Sequence, residues 1–293
     1  MKKTVIGLFA VLLFASITGC KNNLGGTGGS YVGTKAPSEA KAVGDIVFND
    51  GSATPYTRNL ELTDAQKRAA IAIIFYRGRN LNDGGDTTTV RTLGVGLTRS
   101  DAIYWCKRNS EDDTANAWNK DITSIRCIES GSEGNYTFTG DLNGKDNFDQ
   151  MKTFLTAQGL DDTGTAANYP AFYFARNYKD ALIGSETESR IIPGSEFENG
   201  WYLPSIAELF WIDKLDGAEL TNGEFVMVNN VCRACGANGI FYFVEDYWSS
   251  SQSEDDPQCV KILNYSGSRV GDYYKCSNPV NSHDTHALAI REF

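Results

Sequence analysis

The hydrophobic and polar positions of this chain change their rhythm about two-thirds of the way along. Ile71-Ala72-Ile73-Ile74-Phe75-Tyr76 is an uninterrupted β-rich apolar run and predicts a buried strand. Residues 91–97 read as its partner, after a polar loop of Gly, Asn, Asp and Thr. Asp45-Ile46-Val47-Phe48 predicts a short strand ended by the turn Asn49-Asp50-Gly51. Thr63-Asp64-Ala65-Gln66 has the form of a capping box and predicts a short helix through about Ala70. Ser100-Asp101 predicts the start of a helix carrying Ile103, Trp105 and Cys106. Phe148, Met151 and Leu155 share one helical face, and Tyr169-Pro170 opens another helix with Ala171, Phe174, Ala175 and Tyr178 on one side. Beyond Gly223, short apolar stretches at 225–228, 240–243, 259–263 and 287–290 alternate with turns. Helices gathered early and short strands late imply an α+β fold, not a doubly wound parallel sheet.

The N-terminus has a different pattern. Met1-Lys2-Lys3 is basic, and the apolar stretch after it is too short for a membrane-spanning helix, which needs about 20 residues. It has the build of a signal peptide over 1–19. Ile17-Thr18-Gly19-Cys20 resembles a bacterial lipobox, so Cys20 is the expected lipidation site. Residues 20–42, rich in Gly, Ser, Thr and Lys, read as a flexible tether, leaving 43–293 as one domain. The expected place is the bacterial envelope, lipid-anchored, at the outer membrane or cell surface. Over 293 residues, 27 basic against 37 acidic side chains give a net charge of −10. That balance, without a Lys/Arg cluster, argues against nucleic acid as a partner.

With Cys20 assigned to lipid, six cysteines remain: Cys106, Cys127, Cys232, Cys235, Cys259 and Cys276. In an exported protein these read as disulfides. Cys106 with Cys127 and Cys259 with Cys276 would each close a local loop. Cys232-Arg233-Ala234-Cys235 admits three readings: a structural disulfide, a redox pair, or half of a zinc site completed by His283 and His286. Asp141-Leu142-Asn143-Gly144-Lys145-Asp146-Asn147 alternates side-chain oxygens as a calcium loop does, but Lys152 stands where an EF-hand places its last Glu. An Asx-rich turn capping the next helix is the alternative. The expected set of cofactors and metals is empty.

Gly200-Trp201-Tyr202-Leu203-Pro204-Ser205-Ile206-Ala207-Glu208-Leu209 holds a second capping box, Ser205 with Glu208, and places Trp201 and Leu203 in the core. Tyr247-Trp248-Ser249-Ser250-Ser251 and the terminal Ile290-Arg291-Glu292-Phe293 follow it. This ordered set resembles the Lcl C-terminal-domain family. Leu93-Gly94-Val95-Gly96-Leu97, the Asp141–Asn147 loop and Tyr169-Pro170-Ala171-Phe172-Tyr173 resemble spirochaete-type surface lipoproteins of that kind. The resemblance implies a C-type-lectin-like architecture: helices packed on small twisted antiparallel sheets, long loops, and chain ends paired together. It further implies a non-catalytic module that binds a glycan, a matrix component or another extracellular protein. A purely structural or antigenic lipoprotein is the alternative, and a relative of the formylglycine-generating oxidases a more distant one. The expected ligand surface lies on the loops between Glu245 and Cys276. Tyr265, Arg269, Asp272, Tyr273 and Tyr274 offer rings beside charges there.

Overall fold

Thr63 caps its helix as expected: its side chain accepts from the Gln66 N–H at 3.2 Å while the Gln66 side chain accepts from the Thr63 N–H at 3.0 Å. The computed structural model describes residues 30–108, 116–160, 165–220, 223, 226–242, 245–277 and 284–293. The signal peptide, Cys20, the first part of the tether, Phe225, Phe243 and His283 lie outside the described residues.

In chain order the elements are β1 (Asp45–Phe48), β2 (Ala53–Pro55), α1 (Asp64–Ala69), β3 (Ala70–Gly78), β4 (Arg91–Gly96), β5 (Cys127–Ser132) and β6 (Asn135–Gly140). There follow α2 (Asn147–Ala157), α3 (Pro170–Arg176), β7 (Trp201–Tyr202), α4 (Ile206–Leu215) and α5 (Val228–Ala234). The chain closes with β8 (Asp246–Gln252), β9 (Cys259–Asn264), β10 (Arg269–Tyr274), β11 (Thr285–His286) and β12 (Ile290–Glu292). The fold is therefore mixed α+β.

A six-stranded sheet runs β2-β1-β3-β4-β12-β7. The apolar run at 71–76 lies within β3, near the middle of this sheet and buried on both faces. On one face Ile46, Ile73, Leu93 and Ile290 pack with Ile206, Leu209 and Ile212 of α4 and Val231 of α5. On the other, Val47, Ile74 and Trp201 pack with Phe148 and Met151 of α2 and Phe172 of α3. Early and late segments pair directly, with Ile290 opposite Val95 on one side and Tyr202 on the other. The second sheet, β10-β9-β8-β11, is an antiparallel meander with β11 added in parallel, and β5-β6 is a separate hairpin.

Gly94 and Gly96 of β4 have a steric reason. A Cβ on Gly94 would come within 2.6 Å of the terminal Phe293 ring, and one on Gly96 would fall inside the Tyr178 ring. The Tyr178 hydroxyl accepts from the Leu97 N–H at 2.6 Å and the Thr98 N–H at 3.2 Å. Two glycines thus let aromatic rings lie flat on the sheet where side chains would hold them off.

Several expected elements differ, and of the strand expected at 287–290 only Ile290, the first residue of β12, is formed. No helix follows Ser100. The backbone there bonds across the chain instead, Ile103 N–H to Thr285 and Cys106 N–H to Lys275, both at 3.0 Å. The expected strand at 225–228 gives way to α5 from Val228. At 240–241 the Asn229 side chain takes the Ile240 and Phe241 N–H groups at 2.9 and 3.0 Å, which leaves no ladder to form. Residues 30–42, expected to belong to the tether, are held against the first strands. Thr34 and Lys35 N–H groups donate to the Ala53 carbonyl at 2.9 and 2.8 Å, and Lys35 pairs with Asp45 at 2.6 Å. Residues 30–42 carry few apolar groups, and polar side chains on β1, β2 and their turn hold them by hydrogen bonds.

Candidate functional site

The five residues expected to face a ligand divide into two groups. Tyr265 stacks on Phe241 at 4.6 Å with the rings 6° from parallel, and its hydroxyl donates to Asp216 Oδ2 at 2.6 Å. Tyr273 leans on Trp248 at 5.7 Å. Asp272 pairs with Lys261 Nζ at 3.0 Å. Each of these three thus has a partner within the fold, yet Tyr265 and Tyr273 remain half-buried and Asp272 exposed. Arg269 and Tyr274 are exposed on β10, an edge strand of its sheet, and Tyr274 keeps 54% of its surface. After Trp248, Ser251, Gln252 and Ser253 are all fully buried, whereas residues 254–258 are half-buried or exposed.

Lys261 explains much of that burial. Its ammonium lies among Glu129 of β5 at 3.1 Å, Glu254 of the β8–β9 loop at 3.0 Å and Asp272 of β10 at 3.0 Å. Burial by itself would lower its proton affinity. Hydrogen bonds to the three carboxylates outweigh that and hold its pKa above the ordinary lysine value. One buried cation therefore ties the hairpin, a loop and the edge strand together. The sequence signal was a lone charge in the apolar run Cys259-Val260-Lys261-Ile262-Leu263.

No disulfide joins Cys106, Cys127, Cys232, Cys235, Cys259 or Cys276 in this structure. Cys106 and Cys127 belong to clusters on different sides of the central sheet, so their expected local pairing is not formed. Cys232 and Cys235 sit at the end of α5 inside the core. Burial raises the Cys232 thiol pKa and pushes Cys235 to about 12. A reactive cysteine needs its thiolate, which burial disfavours at both positions. His286 is likewise buried: its Nδ1 meets the Ser100 carbonyl at 2.9 Å, and burial followed by the Arg99 charge lowers its pKa.

The segments that carried the family resemblance come together in space. Glu208 is fully buried. Its carboxylate accepts from the Ser205 N–H at 2.9 Å, closing the expected capping box, and from the Gly144 N–H at 3.0 Å and the Tyr202 hydroxyl at 2.9 Å. Arg91 of β4 pairs with it at 3.0 Å. Ser205 Oγ donates to the Leu142 carbonyl at 2.7 Å. Gly144 is pressed so close that a Cβ would stand 2.7 Å from the Leu203 carbonyl oxygen. The three serines of β8 are equally committed. Ser249 Oγ donates to the Lys261 carbonyl at 2.6 Å, Ser250 Oγ meets the Asn147 amide at 2.8 Å, and Ser251 Oγ accepts from the Ile206 N–H at 3.0 Å.

This clamped loop brings Asp141 and Asp146 beside Asp83 of the β3–β4 loop, with one oxygen of each within 4.8 Å of the others. Asp83 Oδ1 accepts from the Leu142 and Asn143 N–H groups at 2.8 and 3.0 Å. The Asn147 amide donates to Asp141 Oδ2 at 2.8 Å. Burial, and then the adjacent Asp83 charge, push Asp141 up to about 8, so it holds a proton near neutrality. Three carboxylates at this spacing are a donor set suited to a hard divalent cation. The loop is built of Asx turns, Asn143 N–H donating to Asp141 Oδ1 at 3.2 Å and Lys145 N–H to Asn143 Oδ1 at 3.1 Å, and it gathers oxygen donors, but no side chain caps α2. Asp83 could not be found from sequence, because nothing local links it to a loop nearly sixty positions later. Beside Asp146 an open groove of about 400 Å³ runs along Ser124, Asp149, Gln150, Thr153 and Phe154.

No family model and no curated protein matches the chain. Among solved structures it is similar to a fimbrial protein from Bacteroides ovatus ATCC 8483, with 15% identity and a TM-score of 0.52. The match covers 86% of this chain and 49% of that one, so the chain spans about half the length of this neighbour. At such identity the likeness concerns the fold. No helix among the described residues is long and apolar enough to cross a membrane.

Proposed function

We propose that this chain is an exported, lipid-anchored envelope lipoprotein whose folded part, of C-type-lectin-like build and Lcl-family kinship, is a non-catalytic adhesion or binding module. Its ligand is a glycan, a matrix component or another extracellular protein. The observation that carries the reading is the fate of the reactive-looking groups. Ser249, Ser250, Ser251, Glu208 and His286 are buried and committed to hydrogen bonds that hold backbone and loops in place. A nucleophile needs an adjacent base and access to substrate. A binding module needs a stiff scaffold and exposed polar and aromatic groups. The likeness in fold to a protein described as fimbrial is consistent with a surface role. The anchor rests on the lipobox ending in Cys20.

The test is a glycan-array and matrix-protein screen with the full chain purified in detergent, beside a Cys20→Ser chain assayed for membrane partition. Saturable binding to one ligand class, weakened by Arg269→Ala with Tyr274→Ala, is expected. So is release of the Cys20→Ser chain from membranes. Absence of binding would favour the structural or antigenic alternative. Turnover of a substrate by the purified chain would overturn the non-catalytic reading.

A further inference from the structure

We infer that Cys106 and Cys276 are the pair that an oxidising environment joins, in place of the two local bridges that sequence spacing favours. The Cys106 N–H donates to the Lys275 carbonyl at 3.0 Å. The carbonyl oxygen lies about 2.8 Å from the next Cα, so this bond holds the two cysteine Cα atoms roughly 5–6.5 Å apart, inside the disulfide range. Both side chains pack in the same apolar cluster, Cys106 fully buried and Cys276 partly exposed. The turn that carries Cys276 is also held in place. Lys275 N–H donates to the Gln258 carbonyl at 2.9 Å, and its ammonium donates to the carbonyls of Ala117, Lys120 and Pro257 at 3.0, 2.9 and 2.7 Å.

The competing pairs are less well placed. Cys259 is opposite Tyr274, the last residue of β10, and the turn closed by the Ser277 N–H on the Tyr274 carbonyl at 3.0 Å carries Cys276 out of the ladder that faces Cys259. Cys127 belongs to the cluster on the other face of the central sheet from Cys106. Oxidation proceeds by exchange with a small or protein disulfide. The Cys276 thiolate attacks one sulfur of the donor and releases its first thiolate. The Cys106 thiolate then attacks Cys276 in the mixed disulfide and releases the second. Two cysteine thiols become one disulfide, the donor disulfide becomes two thiols, and the two cysteine protons pass to the thiolates released. The bridge would tie the segment after β4 to the end of β10, closing a loop of roughly 170 residues.

The experiment equilibrates the purified full chain in a buffer of reduced and oxidised glutathione, blocks remaining thiols under denaturing conditions, and maps peptides without reduction. A linked peptide containing Cys106 and Cys276 is expected, with Cys127 and Cys259 recovered alkylated. Oxidation should raise the melting temperature by roughly 5–10 °C. Cys276→Ser should abolish both the linkage and the rise. If that variant fails to fold, the unsubstituted chain still decides the question. Linkage of Cys259 to Cys276 or of Cys106 to Cys127, or recovery of Cys106 and Cys276 both alkylated, would overturn the assignment.

Discussion

Two groups of three carboxylates occur in this protein, and they are stabilised in opposite ways. Glu129, Glu254 and Asp272 surround Lys261, a cation supplied by the fold itself. Asp83, Asp141 and Asp146 converge without such a partner, and the loop's own lysine, Lys145, is turned to Glu292 at 3.1 Å. The first group is partly compensated by that one cation and ties β5, β10 and the β8–β9 loop together. The second relieves its repulsion by keeping a proton on Asp141. Like residue types therefore gather around a cation of the fold in one place and are held by backbone and amide N–H groups in the other. The difference is whether a buried cation reaches the centre.

The largest effect that bears on this contrast is expected from Lys261→Met, which leaves three crowded carboxylates facing an apolar chain. Its cost should be about 3 kcal/mol, read as a fall in denaturation midpoint. A variant as stable as the parent would show that the carboxylates simply turn to solvent. Tyr265→Ala comes next, at about 2 kcal/mol, because it removes both the Phe241 stack and the Asp216 hydrogen bond. An unchanged melting temperature there would return Tyr265 to the ligand surface.

Asp141→Asn should act in the opposite sense and depend on pH. The folded-state pKa of Asp141 is raised to about 8, above its ordinary 3.8. The folded chain thus retains a proton that the unfolded chain releases, and stability falls as pH rises between those values. The Asn variant should match the parent near pH 4 and melt progressively higher than it toward pH 8. Parallel stability curves would mean that Asp141 is ionised throughout. The smallest effects belong to Arg269→Ala and Tyr274→Ala, each within about 0.5 kcal/mol by chemical denaturation, since both are exposed on an edge strand. That makes them the cleanest substitutions for testing ligand binding.

Both capping boxes were legible because their partners lie three residues apart, within one turn of chain. The same was true of β3 and β4, an apolar run and its neighbour joined by the single polar loop 79–90. The partners of Tyr265, Tyr273 and Asp272 were not legible for the converse reason. Nothing local in a polar turn tells that Phe241, Trp248 and Lys261 stand beside them. The segment after Ser100 had a plausible helix start, yet cross-chain hydrogen bonds to Lys275 and Thr285 took its backbone.

What the sequence determined by itself is the short-range part: an α+β mixture, capped helix starts at Thr63 and Ser205, and the buried strand at 71–76. These follow from propensity, capping and periodicity acting over a few residues. Only the tertiary structure decided that Gly94 and Gly96 make room for Phe293 and Tyr178, and that Lys261 gathers three carboxylates. It alone set Asp83 beside Asp141 and brought Cys106 to the turn of Cys276. Each of these joins residues far apart in the chain. Burial then fixes their charge, exposure and pairing, and none of those is a property of the residue alone.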